Sequence, residues 1–406
     1  MKNNWRLIKI SDFAEVVTGG TPSTKVNEYW KNGTIPWLPS GACQDRKIYS
    51  ADKFITESGL KNSSAKLMPK KTVVIALTGA TTGKVGLLEF EATANQSVTG
   101  IIPNEKFVPE YLYFFLISIR KKILFDSYGG AQKHISQGYV KNIKLPLPDV
   151  PTQQRISKIL MLALNLIDKR KAQIEAIDQL KESVFLEMFG DIPSNSMNWE
   201  IKKISEVVDS VVSGWSVGGD ERDKKPNEIA VLKISAVTRG EFDPNEYKVI
   251  DKNVEIKKAI HPSKGSILFS RANTRELVGA SAIIKEDYPD LILPDKLWEI
   301  IVNKDIVSTE YFKAIISHNF IRNEFSKNAT GTSGSMLNIS MEKFRRINIP
   351  VPPIDIQKKF TEIFNRIDIQ KNHMEKSLIE IERNYNALMQ RAFKGELFTQ
   401  EKLPNV

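Results

Sequence analysis

The sequence predicts an α/β (α+β) fold made twice over: two similar globular lobes separated by two long antiparallel coiled-coil helices, with a pseudo-twofold repeat. Three observations carry this. The run from about Gln153 to Gly190 has no proline and, before its end, no glycine. Its apolar residues Leu160, Ala163, Ile167, Ile174, Ile177, Val184 and Met188 recur at sums of three and four, the period of a long helix with a narrow apolar seam. A second run, about Ile354 to Phe393, has the same character, with Phe360, Ile363, Ile367, Met374, Leu378, Ile381, Tyr385, Leu388 and Ala392 as its seam. Third, the segments in front of the helices repeat. Trp199, Ile201, Lys203, Ile204, Ser205, Glu206 and Val207 match Trp5, Leu7, Lys9, Ile10, Ser11, Asp12 and Phe13 at an offset of 194, a whole-domain duplication. The expected divisions are a first lobe over 1–150, a spacer helix over 151–190, a second lobe over 191–353, a second spacer helix over 354–395 and a tail over 396–406.

In chain order, residues 1–17 form an entry segment, closed by the turn Gly19-Gly20-Thr21-Pro22. Short apolar runs bounded by turn residues follow: Ile35 to Leu38, Thr72 to Leu77, Val85 to Leu88 and Val98 to Ile102. These read as strands of a mixed or antiparallel sheet. Tyr111 to Leu124 is expected to be helical, with Arg120-Lys121-Lys122 suited to a helix C-terminus. A loop, Tyr128 to His134, leads to the extended, proline-bearing exit Ile143, Leu145, Pro146 and Pro148. The first long helix would span roughly 55–60 Å at 1.5 Å per residue; Arg170 and Lys181 interrupt its seam.

The second lobe follows a similar order. Ala230 to Ile234 and Ser266 to Phe269 are strand-like, Thr309 to Phe325 is helical, and the loop Thr330 to Ser335 follows. Ile339 and Ser340 match Ile135 and Ser136, while Ile347, Ile349, Pro350 and Pro352 match the first exit at an offset of 204. Gln357 matches Gln153, and Met188-Phe189-Gly190 resembles Phe393-Lys394-Gly395. Two long seams in one chain can bury each other. An antiparallel pair is the simplest closure for a duplicated lobe and helix; periodicity alone leaves a parallel pair open.

The 406 residues are 41% hydrophobic and 26% charged, enough for at least two folded domains. No run of 18 apolar residues occurs and Met1 to Arg6 is polar, so neither a membrane span nor a secretory signal is expected, and the chain reads as cytoplasmic. The single cysteine, Cys43, excludes an internal disulfide and reads as a small buried hydrophobe. The net charge is +10, and residues 1–150 hold 20 lysines and arginines against 12 acids, whereas residues 191–350 hold 23 against 23. The excess points to a polyanion on the first lobe, or simply to solubility; a second contact would need a local patch.

No catalytic constellation emerges. Gly79-Ala80-Thr81-Thr82-Gly83-Lys84-Val85 falls one residue short of a Walker A loop and has Val85 where the magnesium-binding hydroxyl belongs; a hairpin is expected there instead. The four histidines, His134, His261, His318 and His373, are scattered, so no zinc site or other metal site is expected. No serine sits in a nucleophile elbow, and Asp220-Glu221 reads as solvated surface. No cofactor is expected.

What remains is polar, aromatic and basic side chains on loops. In the first lobe they are Thr21, Lys25, Thr81, Thr82, Lys84, Asn95, Gln96, Gln132, Lys133 and His134. In the second they are Trp215, Arg239, Arg271, Asn273, Arg275, Ser335 and Asn338. Arg, Lys, Asn and Gln read base edges, and hydroxyls and glycine amides suit phosphates. Each loop alone would pass as an ordinary polar turn; their corresponding placement in two lobes argues for two equivalent binding faces. Arg271 and Arg275 stand out as candidates for bidentate guanine contacts.

The pattern resembles the DNA-specificity (S) subunit of type I restriction–modification systems over almost the whole chain. The resemblance lies in the lobe starts at Trp5 and Trp199, the segment Leu77 to Lys84, the exits Leu145-Pro146-Leu147-Pro148 and Ile349-Pro350-Val351-Pro352, and the helices with Gln153 and Gln357 near their starts. The second lobe departs from the glycine pattern, with Phe269-Ser270-Arg271-Ala272-Asn273-Thr274 in its place. The resemblance implies that each lobe is a target recognition domain reading half of a split double-stranded DNA site. It implies that the helices are a ruler and a docking surface for two modification (methyltransferase) subunits, through which restriction subunits join. Methyl transfer from S-adenosylmethionine and ATP-driven cleavage would then belong to those partners. A scaffold with two binding lobes outside any restriction system is the alternative. A fused nuclease or methyltransferase fits less well, since Pro352-Pro353-Ile354 lacks the acid or amide and the aromatic such a motif needs.

Overall fold

The structure, a computed structural model, describes residues 5–127, 133–331 and 336–398. The chain divides into two compact units, Met1–Ala172 with Glu375–Val406, and Gln173–Met374.

The first unit begins with β1 (Leu7–Lys9), α1 (Ile10–Phe13), β2 (Val16–Thr18), β3 (Ile35–Leu38), β4 (Arg46–Ile48), β5 (Lys53–Ile55) and α2 (Glu57–Lys61). It continues through β6 (Val73–Ala76), β7 (Val85–Leu88), β8 (Thr93–Ala94), β9 (Val98–Ile101), α3 (Pro109–Ser118), α4 (Arg120–Asp126), α5 (Gln137–Asn142) and β10 (Lys144–Pro146) to the long α6 (Val150–Phe189). Its main sheet has the order β2-β9-β6-β7-β4, beside a smaller sheet β5-β3-β8 and the pair β1-β10. Strands β6 and β7 are apolar at every position because both faces are covered. Val73 and Ile75 pack with Tyr111 and Leu112 of α3, while Val74 and Ala76 pack with Leu38, Cys43 and Met68. Cys43 is buried, as its composition suggested, and burial pushes its thiol up to about 12. The expected hairpin at Gly79–Val85 is present, since β6 and β7 pair antiparallel.

The second unit repeats this plan. Its elements are β11 (Glu200–Lys203), α7 (Ile204–Val207), β12 (Val208–Ser213), β13 (Ala230–Leu232), β14 (Tyr247–Val249), β15 (Ile267–Ser270), β16 (Ala272–Asn273), β17 (Ser281–Ile283), β18 (Leu291–Ile292) and β19 (Leu297–Val302). Then come α8 (Thr309–Ser317), α9 (Asn319–Asn328), β20 (Leu337–Asn338), α10 (Met341–Arg345), β21 (Asn348–Val351) and the long α11 (Ile354–Phe393). The sheets are β12-β19-β15-β17, β14-β13-β18, β16-β20 and β11-β21. The repeat holds at the level of single pairs: Ile8 faces Leu145 and Lys202 faces Ile349. An aromatic core of Phe269, Trp298, Phe325 and Phe344 fills the space between sheet and helices.

Two helices differ from the reading of the sequence. Thr309 to Phe325 is two helices, because His318 takes an extended backbone and its ring accepts from the Phe320 N–H, capping α9. Arg120-Lys121-Lys122 does not end a helix but opens α4, where Arg120 instead pairs with Asp45 at 3.1 Å.

Each long helix gives one part to each unit, and within each unit the two parts run antiparallel. In the first, Ile156 and Leu160 share a core with Met389 and Ala392, and Lys171 pairs with Glu382 at 2.8 Å. In the second, Phe185 and Phe189 pack on Phe360, and Asp178 pairs with Lys371 at 2.9 Å. Of the expected seam, Leu160, Ile167, Ile177, Phe360 and Ile367 are buried, and Ile174, Met374 and Ile381 are half-buried. Ile363 is a correction: it is 38% exposed. The seam passes through Phe364 instead, which packs with the second unit's core, and leaves Ile363 at the seam's exposed margin. The Lys181 interruption has a cause. Its ammonium is ion-paired with Asp368 and lies 4.8 Å from the Phe364 ring centre.

Candidate nucleic-acid interface

In the first unit three turns meet at the end of β6. The chain leaving β2 turns at Gly19 and Gly20 against the turn that follows β8, with the Gly20 N–H donating to Ala94 O at 2.8 Å. A Cβ on Gly19 would lie 2.2 Å from Ala94 O, so only glycine fits. The Thr21 hydroxyl then donates to Gln96 Oε1 at 2.5 Å, and Asn95 Oδ1 accepts from the Ser97 N–H at 3.1 Å. Leu77 N–H reaches Ser97 O at 2.7 Å, and Thr78 bridges to His134. These bonds place Thr21, Asn95, Gln96, the Gly79–Lys84 tip, Lys133 and His134 together. Lys25 is exposed on the chain beyond the turn.

Not all of these side chains point outward. Thr82 is 1% exposed and its single hydroxyl proton has two carbonyl acceptors in reach, Gly79 O and Lys133 O, both at 2.8 Å. It ties two loops together, which corrects its reading as a DNA contact. Thr81 is half-buried at the tip. Lys84 donates to Gln44 Oε1 at 2.5 Å and Lys133 to Leu124 O at 3.0 Å. Gln132 lies outside the described residues.

The second unit builds the same junction from different residues. Gly214 stands where Gly19 does, its Cβ position 1.9 Å from Leu293 O, and the Trp215 N–H donates to Leu293 O at 3.0 Å. The Ser216 hydroxyl bonds the Asp295 carboxylate as Thr21 bonds Gln96. Ile339 N–H reaches Arg271 O at 3.0 Å where Ile135 reaches Leu77 O at 2.9 Å. Asp295 was not legible in the sequence; the Ser216 equivalence to Thr21 would have pointed to it, had the short strand β18 been recognised.

Here two expectations are corrected. Arg271 is not free to grip a guanine. Its Nε donates to Asp295 O at 2.6 Å, and its two terminal nitrogens donate to Asn338 Oδ1 at 2.7 Å and Asp295 Oδ2 at 3.0 Å. The guanidinium is the knot that joins the three loops. Asn273 is 9% exposed, with its amide on Ser270 Oγ and its Oδ1 accepting from the Thr274 N–H. Arg275 is exposed on the same loop. Neighbouring Glu276 is held below the ordinary carboxylate range by its own backbone N–H and the Thr274 hydroxyl. Arg239 is not part of this cluster; it lines a cavity of about 710 Å³ between the lobe and the helix segments of this unit. Ser335 lies outside the described residues. Among the described residues no group of three or more His, Cys, Asp or Glu is placed to hold a metal ion, and no helix is long and apolar enough to cross a membrane.

Two lobes with one scaffold and different loop chemistry are matched by a family model described as the type I restriction modification DNA specificity domain, which fits the chain twice, at residues 2–178 and 197–383. The chain belongs to this family. As a DNA-specificity subunit it is similar to the type I restriction enzyme MjaIX specificity subunit of Methanocaldococcus jannaschii, at 25% identity over 98% of this chain and 94% of that protein. It is also similar to the EcoKI specificity subunit of Escherichia coli, at 24% identity over 100% and 92%. Among solved structures, the type I restriction–modification S subunit from M. genitalium has the same fold, with a TM-score of 0.59 at 14% identity over 96% of each chain. A structure described as the basis of complex assembly and conformational transition of the type I system also aligns, at a TM-score of 0.59 and 17% identity. The specificity subunit thus has its two family domains in the two halves of the sequence, each match taking in a lobe and most of the long helix that follows it.

Proposed function

We propose that each lobe of this specificity subunit reads one half of a split double-stranded DNA target, and that the paired helices set the separation of the halves. The observation that carries the reading is the shared junction: a hydroxyl–acceptor pair, Thr21–Gln96 in one unit and Ser216–Asp295 in the other, on an otherwise equivalent glycine turn. Equal scaffolds with unequal side chains are what two readers of different sequences require. The residues assigned to the first face are Thr21, Lys25, Thr81, Lys84, Asn95, Gln96, Lys133 and His134. Those of the second are Trp215, Arg275 and Asn338, with Arg271 as their support.

The outer faces of the helices are the docking surface for methyltransferase subunits, two in number by the symmetry of the repeat, through which restriction subunits join. Leu162 and Leu166 in the first unit, and Leu186, Ile363 and Ile369 in the second, are exposed apolar side chains that support this. Methyl transfer and cleavage reside in those partners, and the complex acts in the cytoplasm. Methylome sequencing of cells expressing the complete system tests the reading. It expects a methylated motif of two short half-sites with a fixed gap; a continuous motif would overturn it.

A further inference from the structure

Two glutamines are wholly buried, one at the start of each long helix. Gln153 Oε1 accepts from the Val108 N–H at 2.8 Å, at the N-cap just before α3, and its Nε2 donates to Pro148 O at 2.8 Å in the lobe's exit. Gln357 Oε1 accepts from the Ser308 N–H at 2.8 Å, at the N-cap just before α8, and its Nε2 donates to Pro352 O at 2.7 Å and Ile306 O at 3.1 Å. One tyrosine adds to each junction: the Tyr111 hydroxyl donates to Pro146 O and the Tyr311 hydroxyl to Pro350 O, both at 2.6 Å. The same tyrosine rings pack on the end of the other long helix, Tyr111 on Phe393 at 5.3 Å and Tyr311 on Phe189 at 4.6 Å. Each unit therefore has a three-way junction of lobe helix, helix start and helix end, pinned by one amide.

We propose that Gln153 and Gln357 are positioning residues that fix the angle of each lobe on its own spacer helix, and thereby determine which gap between half-sites is accepted. This rests on the ruler reading given above. An apolar side chain would fill either position, but its packing is non-directional and would tolerate small rotations of the lobe. The amide does not: turning α3 or α8 away from it strands a buried N–H and a buried carbonyl without partners. Neither glutamine lies at the loop face, so neither contacts a base.

The test uses the complete complex with its methyltransferase subunits. It measures methylation of duplexes carrying both half-sites, as found in the wild-type methylome, with the gap varied in single base-pair steps. Gln153→Met and Gln357→Met are expected to reduce the preference for the native gap over its neighbours by about tenfold, with base preference inside each half-site unchanged. Tyr111→Phe and Tyr311→Phe, which remove only a hydroxyl, are expected to shift the profile the same way by a smaller factor. They carry the test if the methionine variants fail to fold. A rate that falls equally at every gap, or an unchanged profile in folded variants, overturns the inference. A wild-type complex indifferent to the gap overturns the ruler reading itself, and the two failures are told apart by that control.

Discussion

Arg271 and Asp295 are bound to one another twice, through Nε to the backbone carbonyl at 2.6 Å and through a terminal nitrogen to the carboxylate at 3.0 Å. The most conspicuous arginine of the second lobe is thus a structural tie, and the proposed base contacts fall to its exposed neighbours such as Arg275.

That distinction is measurable. Arg271→Ala removes the donor to Asp295 Oδ2 and Asn338 Oδ1, so the isolated subunit should lose about 1–3 kcal/mol of stability. Arg275→Ala removes an exposed side chain and should leave the thermal transition in place. It should weaken binding only to targets containing the second half-site, by roughly 1–3 kcal/mol if the contact is a bidentate base contact. Thermal melts and competition binding at fixed salt check both; an Arg271→Ala protein with unaltered melting would refute the tie.

The Lys181–Asp368 pair gives the second unit a pH dependence. Burial alone would raise the Asp368 pKa, but the hydrogen bond and charge of Lys181, with Lys285 at 3.1 Å, outweigh it and hold the carboxyl below its ordinary value. The stability so gained is fully present above the unfolded carboxylate's pKa near ~4 and is lost as pH falls through the lower folded value. Asp368→Asn should therefore cost about 1–2 kcal/mol at pH 7, less than a fully buried pair because both side chains keep some contact with water. Denaturant titrations at pH 7 and at pH 3 should find this difference shrinking in acid, and a constant difference would count against it.

Ile367 and Ile363 lie one turn apart on α11 but differ in how far they are covered, and should differ in cost. Ile367 is 8% exposed, and an aspartate there must be buried without a partner, costing about 4 kcal/mol or more. Ile363→Asp, at the exposed margin of the seam, should lower the melting temperature of the subunit clearly less than Ile367→Asp does, while weakening its capture of methyltransferase subunits in a pull-down. Equal loss of stability in the two variants would refute the assignment of faces.

Cys43 should resist thiol reagents in the native state, since burial both shields it and pushes the thiol up to about 12. Labelling by a maleimide at pH 7 should proceed only at the rate of unfolding and become fast in denaturant. Rapid labelling of the native protein would contradict its burial.

The sequence by itself determined the duplication, the two long helices and the family, because these are carried by local signals: the Trp5 and Trp199 starts, the apolar period of α6 and α11, and the paired proline exits. It also placed the candidate loops in equivalent positions. Only the tertiary structure decided what individual side chains on those loops do. Arg271 and Thr82 look in sequence like any other polar loop residues, but their partners Asp295, Asn338 and Lys133 come from distant segments that only folding brings near. Ile363 was misplaced because steps of three and four both keep a residue near one face of a helix, and only the partner side chains show how far across that face the cover extends. Gln153 and Gln357 were visible as a repeated pair. Their function as junction pins depends on the Val108 and Ser308 backbone amides, groups that every sequence contains and that only a fold can aim.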